Sequence, residues 1–182
     1  FRAVEIEQLG ERQVVQDLYA LTRALSHPAD RIAWLALLRA PCCGLGLHEL
    51  AQFFEGRGER TVWEVMQEVP SLKKICEVLR PALEQRLRGT LRDCVEGTWL
   101  ALGGPACVAD ATDLEDAEAF LDELERLEEA GALEDMAELE ERLAKKLYAL
   151  PDVNAGVDAV EIMTIHKAKG LEFDTVVVPG LD

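Results

Sequence analysis

A short polar segment near the carboxyl end of the chain carries the residue types best suited to binding chemistry. Thr164 and His166 can both contact phosphate oxygens. Lys169 is a compact cation that can reach a nucleotide phosphate, and Gly170 lets the backbone approach a ligand without a clash from a Cβ atom. Glu172 can accept hydrogen bonds of the kind that a ribose hydroxyl donates. Residue chemistry alone thus indicates a nucleotide- or phosphate-binding loop, with an ordinary surface loop as the alternative.

The stretches around this segment have the composition of β-strands. Residues 159–163 form a β-prone run, and residues 175–178 form a continuous apolar run suited to a strand buried on both faces. Residues 1–6 alternate in polarity and predict another short strand. We expect residues 1–6, 159–164 and 174–179 to be strands of one small sheet. The polar segment then lies beyond the carboxyl end of a strand, where open α/β sheets bind ligands.

The long middle of the chain predicts helices, because its apolar residues recur three and four positions apart. About seven to nine helical segments follow from this periodicity. Asp30 predicts the cap of a helix that runs through Arg39. The residues of that helix expected to face inward are Ile32, Leu35 and Leu38.

Other sequence signals predict where the remaining helices begin and end. Capping boxes are predicted for Thr61 with Glu64 and for Thr112 with Glu115, and a weaker cap for Thr90. Pro81 is expected to kink or divide the helix that starts at Ser71, because proline disrupts a helix interior. The expected helix stops are Gly103-Gly104-Pro105, Gly131 and Pro151.

Charge and composition limit the classes of function. The formal charge is −16, from 19 basic and 35 acidic residues, and such a field repels nucleic acid. It counts against a free-standing DNA-binding domain. Between Asp110 and Glu141, Arg126 is the only basic residue, and the helical spacing of this run predicts a solvated helix face. No long apolar window or signal peptide is present, so we expect no membrane partner. The first residue is not Met, which predicts a piece of a longer chain.

Five cysteines give no sign of a disulfide framework, because their number is odd and their spacing unpaired. This usage predicts a reducing, cytoplasmic setting. Adjacent Cys42 and Cys43 with nearby His48 suggest a metal, but no second cysteine pair completes four ligands, so we expect no metal site. The cysteines are instead interpreted as small buried apolar residues.

The polar segment also resembles a known helicase motif. Residues 162–173, Ile-Met-Thr-Ile-His-Lys-Ala-Lys-Gly-Leu-Glu-Phe, closely resemble motif V of superfamily 1 helicases of the UvrD/Rep kind. Residues 1–4 and 11–17 are similar to the segment that follows motif IV in that family. Residues 29–46 resemble the helices after it. Within them, the sequence around Leu35–Pro41 is most similar to the AddA and exonuclease V β-subunit branch. Residues 55–150 match only in helical character.

The resemblance implies a mainly α fold, in which a helical 2B-like insertion interrupts the strands of a partial RecA-like α/β domain. Residues 1–9 would belong to the RecA-like domain, residues 10–150 to the helical 2B-like subdomain, and residues 151–182 to the RecA-like domain again. This order agrees with the strand, helix and strand pattern of the sequence.

The resemblance further implies a fragment of an ATP-dependent 3′-to-5′ DNA helicase or translocase of repair or recombination. Thr164 and His166 would contact single-stranded DNA, Lys169 would sense the γ-phosphate, Glu172 would hold the ribose, and Gly170 would shape the loop. The full-length protein would use ATP and Mg²⁺ and bind single-stranded and duplex DNA, with nuclease or recombination subunits as candidate partners. No Walker A lysine, Walker B acids or motif VI arginine occur in this sequence, so we expect no catalytic residue, no bound cofactor and no activity in the isolated chain.

Two other hypotheses compete with a motor fragment. The helical part can be a binding module that docks a partner protein or the DNA duplex and regulates the motor. Trp34, Trp63 and Trp99 could mark such a docking face, although aromatic residues at helical positions usually belong to a core. The second alternative is an all-helical structural domain with an accidental motif match.

Overall fold

Helices form over most of the chain between Gln13 and Lys145, as the apolar spacing predicts. The structure, a computed structural model, describes residues 2–3, 8–85, 88–129, 132–133, 135–145, 147–149 and 159–179. Its helices are α1 (Gln13–Ser26), α2 (Arg31–Arg39), α3 (Leu47–Phe54), α4 (Val62–Met66), α5 (Lys73–Gln85), α6 (Leu91–Ala101), α7 (Ala111–Leu127), α8 (Met136–Lys145) and α9 (Ile165–Ala168). Its strands are β1 (Arg2–Ala3), β2 (Glu128–Glu129), β3 (Ala132–Leu133) and β4 (Glu161–Ile162). The predicted mainly α class is confirmed for the described residues.

Helix α1 is the centre of the hydrophobic core, and it packs against α2, α6 and α7. Its apolar stripe includes Val15, Leu18, Leu21 and Leu25, which are all buried. The buried Thr22 hydroxyl donates to the Leu18 carbonyl at 2.8 Å, so its polar group is satisfied within the helix. We call the unit built around α1, residues 8–149, the helical body.

Three of the predicted helix caps are confirmed. The Asp30 carboxylate accepts a hydrogen bond from the Ala33 amide at 3.0 Å. The Thr61 hydroxyl and Glu64 carboxylate form the reciprocal bonds of a capping box. The Thr90 hydroxyl accepts from the Asp93 amide. Each bond satisfies a backbone amide that the first helical turn leaves unpaired, which explains why these positions begin helices.

The predicted capping box of Thr112 and Glu115 is wrong. The cap of α7 is Asp110, whose carboxylate accepts from the backbone amides of Thr112 and Asp113. Both residue types can cap a helix, and the helix starts one residue before Thr112. The buried face predicted for α2 is also partly wrong, because Ile32 is 74% exposed.

The core-facing side of α2 is centred on Trp34 instead. Trp34, Leu37 and Leu38 are buried, and Leu35 packs against the core from a partly buried position. The Trp34 ring lies 5.8 Å from the ring of Trp63, centroid to centroid. The indole buries more apolar area than an isoleucine side chain, so its position sets which side of the helix faces inward.

Pro81 and the glycines after α6 differ in whether they end a helix. Pro81 lies inside α5 and does not divide that helix. Helix α6 ends at Ala101, and Gly103 follows with a positive φ of 78°, as the predicted stop requires. Gly104 lies against the indole of Trp99, where an added Cβ would be 1.9 Å from Nε1. Gly131 and Pro151, the other predicted stops, lie outside the described residues.

The acidic run from Asp110 to Glu141 is more than a solvated face. Asp116 and Glu123 of α7 are buried, and each pairs with an arginine from another element. Arg12 bonds Asp116 at 2.8 Å, and Arg142 bonds Glu123 at 2.8 Å. These ion pairs join α7 to the start of α1 and to α8, so the interpretation of the run as a purely solvated face is wrong.

A third arginine binds the exposed side of α7. Arg92 of α6 contacts Glu118, Asp122 and Glu125, which lie along one face of the helix. Hydrogen bonds from Arg92 to Asp122 and Glu118 raise the pKa of Arg92 above its usual value. Arginine from α6 therefore partly neutralises the acidic surface that the sequence shows as a continuous run.

The two ends of the chain come together beside the helical body. Strands β1 and β4 pair in parallel, with Arg2 opposite Glu161 and Ala3 opposite Ile162. Just inside this pair, the Leu9 amide donates to the Leu147 carbonyl at 2.9 Å, and Gln8 forms an antiparallel bridge with Tyr148. The predicted pairing of residues 1–6 with 159–164 is confirmed at these positions.

The strand predicted for residues 174–179 is not formed. This stretch has no strand hydrogen bonds in the structure, and Val177 is 82% exposed. A strand buried on both faces needs neighbouring strands and a covering layer, and within the described part of the chain Val176 to Val178 remain uncovered. We call residues 159–179 the carboxyl segment. None of the described helices is long and apolar enough to span a membrane.

Candidate functional site

The predicted chemistry-bearing residues fall on one short turn that follows a strand. Strand β4 ends at Ile162, and Thr164 is the extended residue that precedes helix α9. The Thr164 carbonyl accepts from the Ala168 amide at 3.1 Å, which closes the single turn. His166 lies within the turn, and Lys169 ends it in an extended conformation. The sequence segment 164–172 is therefore a compact strand–turn loop, which we call the coupling loop.

Gly170 allows the chain to leave the helical turn. Its φ is 89°, a left-handed conformation that residues with a Cβ atom rarely adopt. The Leu171 amide then donates to the Ala168 carbonyl at 3.1 Å, which holds the exit of the turn. Backbone geometry therefore supplies a second reason for glycine here, beside close approach to a ligand.

The polar side chains of the coupling loop are exposed and have no bonding partner among the described residues. Thr164, His166, Lys169 and Glu172 are all exposed. Across the ranges that the structure describes, none of these four side chains forms a hydrogen bond or ion pair, and Thr164 does not cap α9. By contrast, many polar residues of the helical body have protein partners. These four groups are consequently available to an external ligand.

The position of the loop in the sheet suits ligand binding. Strands β1 and β4 run parallel, and the coupling loop leaves the carboxyl end of β4. In open α/β sheets this edge is where nucleotides and other ligands bind. The two parallel strands come from opposite ends of the chain, so the helical body is the connection between them. The arrangement places cationic, hydroxyl, imidazole and carboxylate groups at one edge.

The three tryptophans do not form a docking face. Trp34 and Trp99 are buried, and Trp63 packs against the core from a partly buried position. Arg80 lies over the exposed side of the Trp63 ring, 5.7 Å from its centroid. Their helical spacing therefore reflects packing.

Sequence reasoning missed two features that depend on contacts between distant residues. Arg12, at the entrance to the helical body, pairs with Asp113 and Asp116 of α7. Cys42 and Cys107 line one cleft although they lie in different connections of the body. Neither contact has a local sequence signal, because each partner is specified only by the fold.

The interpretation of the cysteines as buried residues holds for one of them. Cys76 is buried, whereas Cys42, Cys43 and Cys94 are partly exposed and Cys107 is exposed. Within the described residues, no group of three or more His, Cys, Asp or Glu side chains is arranged to hold a metal ion.

Comparison with known proteins shows which family this loop and its neighbouring helices resemble. Residues 111–182, which extend from α7 through the coupling loop, match the UvrD-like helicase C-terminal domain. The resemblance to UvrD/Rep-type helicases is confirmed.

Curated relatives extend the similarity over nearly the whole chain. The ATP-dependent DNA helicase UvrD1 of Mycobacterium tuberculosis is 30% identical over 207 residues, which cover 93% of this chain and 26% of that protein. A second relative is a subunit of the ATP-dependent helicase/nuclease of Oceanobacillus iheyensis. It is 24% identical over 215 residues, which cover 100% of this chain and 16% of that protein. The chain thus spans about a quarter or less of the length of these relatives.

Proposed function

We propose that this chain is the part of an ATP-dependent DNA helicase or translocase in which the coupling loop links ATP binding to movement along single-stranded DNA. The observation that carries the proposal is the set of four exposed, uncommitted polar side chains at the carboxyl end of β4. The helicase family match and the names of the relatives support it. The proposed movement is 3′ to 5′, in DNA repair or recombination.

The nucleotide half of the loop consists of Lys169, Gly170 and Glu172. Lys169 would bind the γ-phosphate of ATP, whose charge is shared with Mg²⁺ in the full-length protein. Glu172 would accept hydrogen bonds from the ribose, and its carboxylate makes such bonds stronger than a neutral acceptor would. Gly170 lies between them with positive φ and can let the backbone approach the nucleotide.

The DNA half consists of Thr164 and His166. A hydroxyl and an imidazole N–H can each donate to a phosphate oxygen, which positions a strand without reading its sequence. The helical body carries most of the acidic residues, so its field disfavours non-specific DNA contact elsewhere. DNA contact in this chain is therefore concentrated on the exposed loop.

One turn of helix separates the DNA and nucleotide halves. Thr164 and Ala168 are joined by the backbone bond that closes α9, and Lys169 follows directly. A change in the position of Lys169 on γ-phosphate release would consequently shift Thr164 through a rigid connection. Such a shift would couple the two ligands through one element of the structure.

The same comparison suggests a division into domains. We assign residues 1–9 and 151–182 to a RecA-like domain and residues 10–150 to a helical 2B-like subdomain inserted into it. The parallel pairing of β1 with β4 and the bond between Leu9 and Leu147 support this division, because the chain enters and leaves the helical body at one place. Duplex DNA and nuclease or recombination subunits are the partners proposed for the full-length protein.

The nucleotide half is tested by Glu172→Gln in the full-length protein, with Asp174→Asn as the matched control. Asp174 is exposed on the same segment and is assigned no ligand. Loss of a charge-assisted hydrogen bond is expected to weaken ATP binding or turnover about ten- to a hundredfold, while the control keeps wild-type values. Equal values for wild type and Glu172→Gln in ATP titrations would exclude the ribose contact.

The DNA half is tested by Thr164→Ala, with Thr175→Ala as the control. The Thr164 variant should lose DNA stimulation of ATP turnover and keep nearly wild-type nucleotide affinity without DNA. Thr175→Ala should behave as wild type in both assays. Loss of folding in the Thr164 variant, seen by circular dichroism, would instead assign the residue a structural role. The isolated 182-residue chain should show only background ATP turnover, because its sequence has no Walker A motif.

A further inference from the structure

Two of the five cysteines line one cleft of the helical body. The cleft holds about 140 Å³ and lies between α1, the turn after α2 and the loop before α7. Cys42 and Cys107 are among the residues that line it. Cys43 follows Cys42 directly in the sequence, and the interaction between their thiols changes the pKa of each. The fold thus brings together thiols that are distant in sequence.

A tight turn holds the adjacent pair at the cleft. The amides of Cys43 and Gly44 both donate to the Ala40 carbonyl, at 2.9 and 2.8 Å. Gly44 has a φ of 71°, which lets the chain reverse at the end of α2. The turn holds Cys42 at the wall of the cleft.

The cysteines differ in how easily they form a thiolate. The hydrogen bond from Cys43 lowers the pKa of Cys42, against the opposing effects of burial and of Asp17. The same contact raises the pKa of Cys43. Burial raises the pKa of Cys76 and of Cys94. Because the thiolate is the nucleophile, reactivity should be greatest at Cys42.

Cys107 lies on the opposite wall in an irregular loop. It is exposed, and its thiol donates to the Gly103 carbonyl at 3.5 Å. Residues 107–110 are bends that connect the 3-10 turn Gly104–Ala106 to α7. The Cys107 side chain can therefore turn towards the cleft without unwinding a helix.

We propose that Cys42 is a hydroperoxide-reactive thiol and that Cys107 converts its oxidised form into a disulfide across the cleft. In the first step the Cys42 thiolate attacks the terminal peroxide oxygen, the O–O bond breaks, and the leaving alkoxide or hydroxide takes up a proton. Cys42 becomes a sulfenic acid while the peroxide is reduced to an alcohol or water. In the second step the Cys107 sulfur attacks the Cys42 sulfur, the S–O bond breaks, and water leaves with the thiol proton.

The lining of the cleft favours a small neutral oxidant. Asp17 places a carboxylate at its wall, and Val14, Trp99 and Val108 supply apolar surface. This carboxylate repels anionic reagents but does not repel hydrogen peroxide or a small alkyl hydroperoxide. The resulting bond would join the turn after α2 to the loop before α7, and the closed cleft would resist thermal unfolding more than the reduced form.

The test treats the folded chain with hydrogen peroxide and maps its cysteines by mass spectrometry. The wild type is compared with Cys42→Ser, Cys43→Ala and Cys107→Ser, with Cys94→Ser as the control. We expect a peptide cross-linked through Cys42 and Cys107, absent from the first and third variants and unchanged in the control. In Cys107→Ser, dimedone should trap a sulfenic acid on Cys42, and Cys43→Ala, which removes the hydrogen-bond donor, should slow its formation.

A second measurement avoids reliance on folded variants. In the untreated wild type, neutral iodoacetamide should label Cys42 about tenfold faster than Cys94 or Cys76, and anionic iodoacetate should lose that preference. Equal labelling rates, peroxide oxidation that starts at Cys107, or a main product that links Cys42 to Cys43 would overturn the proposal.

Discussion

The helical body and the carboxyl segment differ in how far their side chains are buried and paired. In the body, large side chains such as Trp34, Phe54 and Phe120 are fully buried, and buried acids have arginine partners. In the carboxyl segment, Ile165 and Val177 are mostly exposed, and the polar groups of the coupling loop have no partner within the described residues. The body buries its large apolar side chains and pairs its buried acids, whereas the segment leaves its polar side chains exposed to solvent.

This difference separates the region that supports the fold from the region that we propose binds ligands. Strand β4 of the segment pairs with β1 near the start of the chain. The bond between Leu9 and Leu147 joins the two ends of the body. The body can therefore fold around its own core while the segment keeps polar groups available. A region whose polar groups are already paired gains little from an external ligand, since binding must first break those pairs.

The largest expected effect comes from the same substitution made in each region. Phe120→Ala removes a fully buried ring of α7 and should reduce the free energy of unfolding by about 3–5 kcal/mol. Phe173→Ala, at a ring that is 41% exposed in the segment, should reduce it by less than about 1 kcal/mol. Urea unfolding followed by circular dichroism measures both values. Similar losses for the two variants would erase the distinction between the regions.

A smaller effect is expected from the ion pairs that close the body. Arg12→Met removes the contacts to Asp113 and to the buried Asp116, and should reduce the free energy of unfolding by about 2 kcal/mol. Lys145→Met removes an exposed pair with Glu141 on α8 and should change it by less than about 0.5 kcal/mol. If the two variants have the same stability, the connection between α1 and α7 does not depend on Arg12.

Local sequence signals predicted the helices of the body well and its pairings poorly. Caps such as Asp30 and Thr61 depend on bonds within three residues, so the sequence alone reveals them. The exposure of Ile32 depends on where the neighbouring helices lie. The cap of α7 depends on a choice between Asp110 and Thr112, which are close in sequence and can both cap a helix. To predict that Asp116 is buried, one must know that it pairs with Arg12, which lies 104 positions away in the sequence.

The coupling loop could be predicted because its residues are contiguous. The sequence predicted a polar segment between two strands with Gly170 in it, and the structure adds the helical turn after β4 and the positive φ of Gly170. The strand predicted at residues 174–179 failed for a physical reason. A β-prone sequence such as Val176–Val178 specifies a strand only when a neighbouring strand accepts its hydrogen bonds.

The account is tested most directly by the effect of nucleotide on DNA affinity in the full-length protein. Single-stranded DNA affinity would be measured by fluorescence anisotropy with and without a non-hydrolysable ATP analogue, for the wild type, Thr164→Ala and Glu172→Gln. Thermodynamic linkage requires that a loop joining the two sites changes each affinity by the same factor. We predict that this factor, typically about 5- to 150-fold where sites are coupled, falls towards one in both variants, although each loses a different ligand contact. A factor that stays at its wild-type value in both variants would contradict the assignment of coupling to this loop.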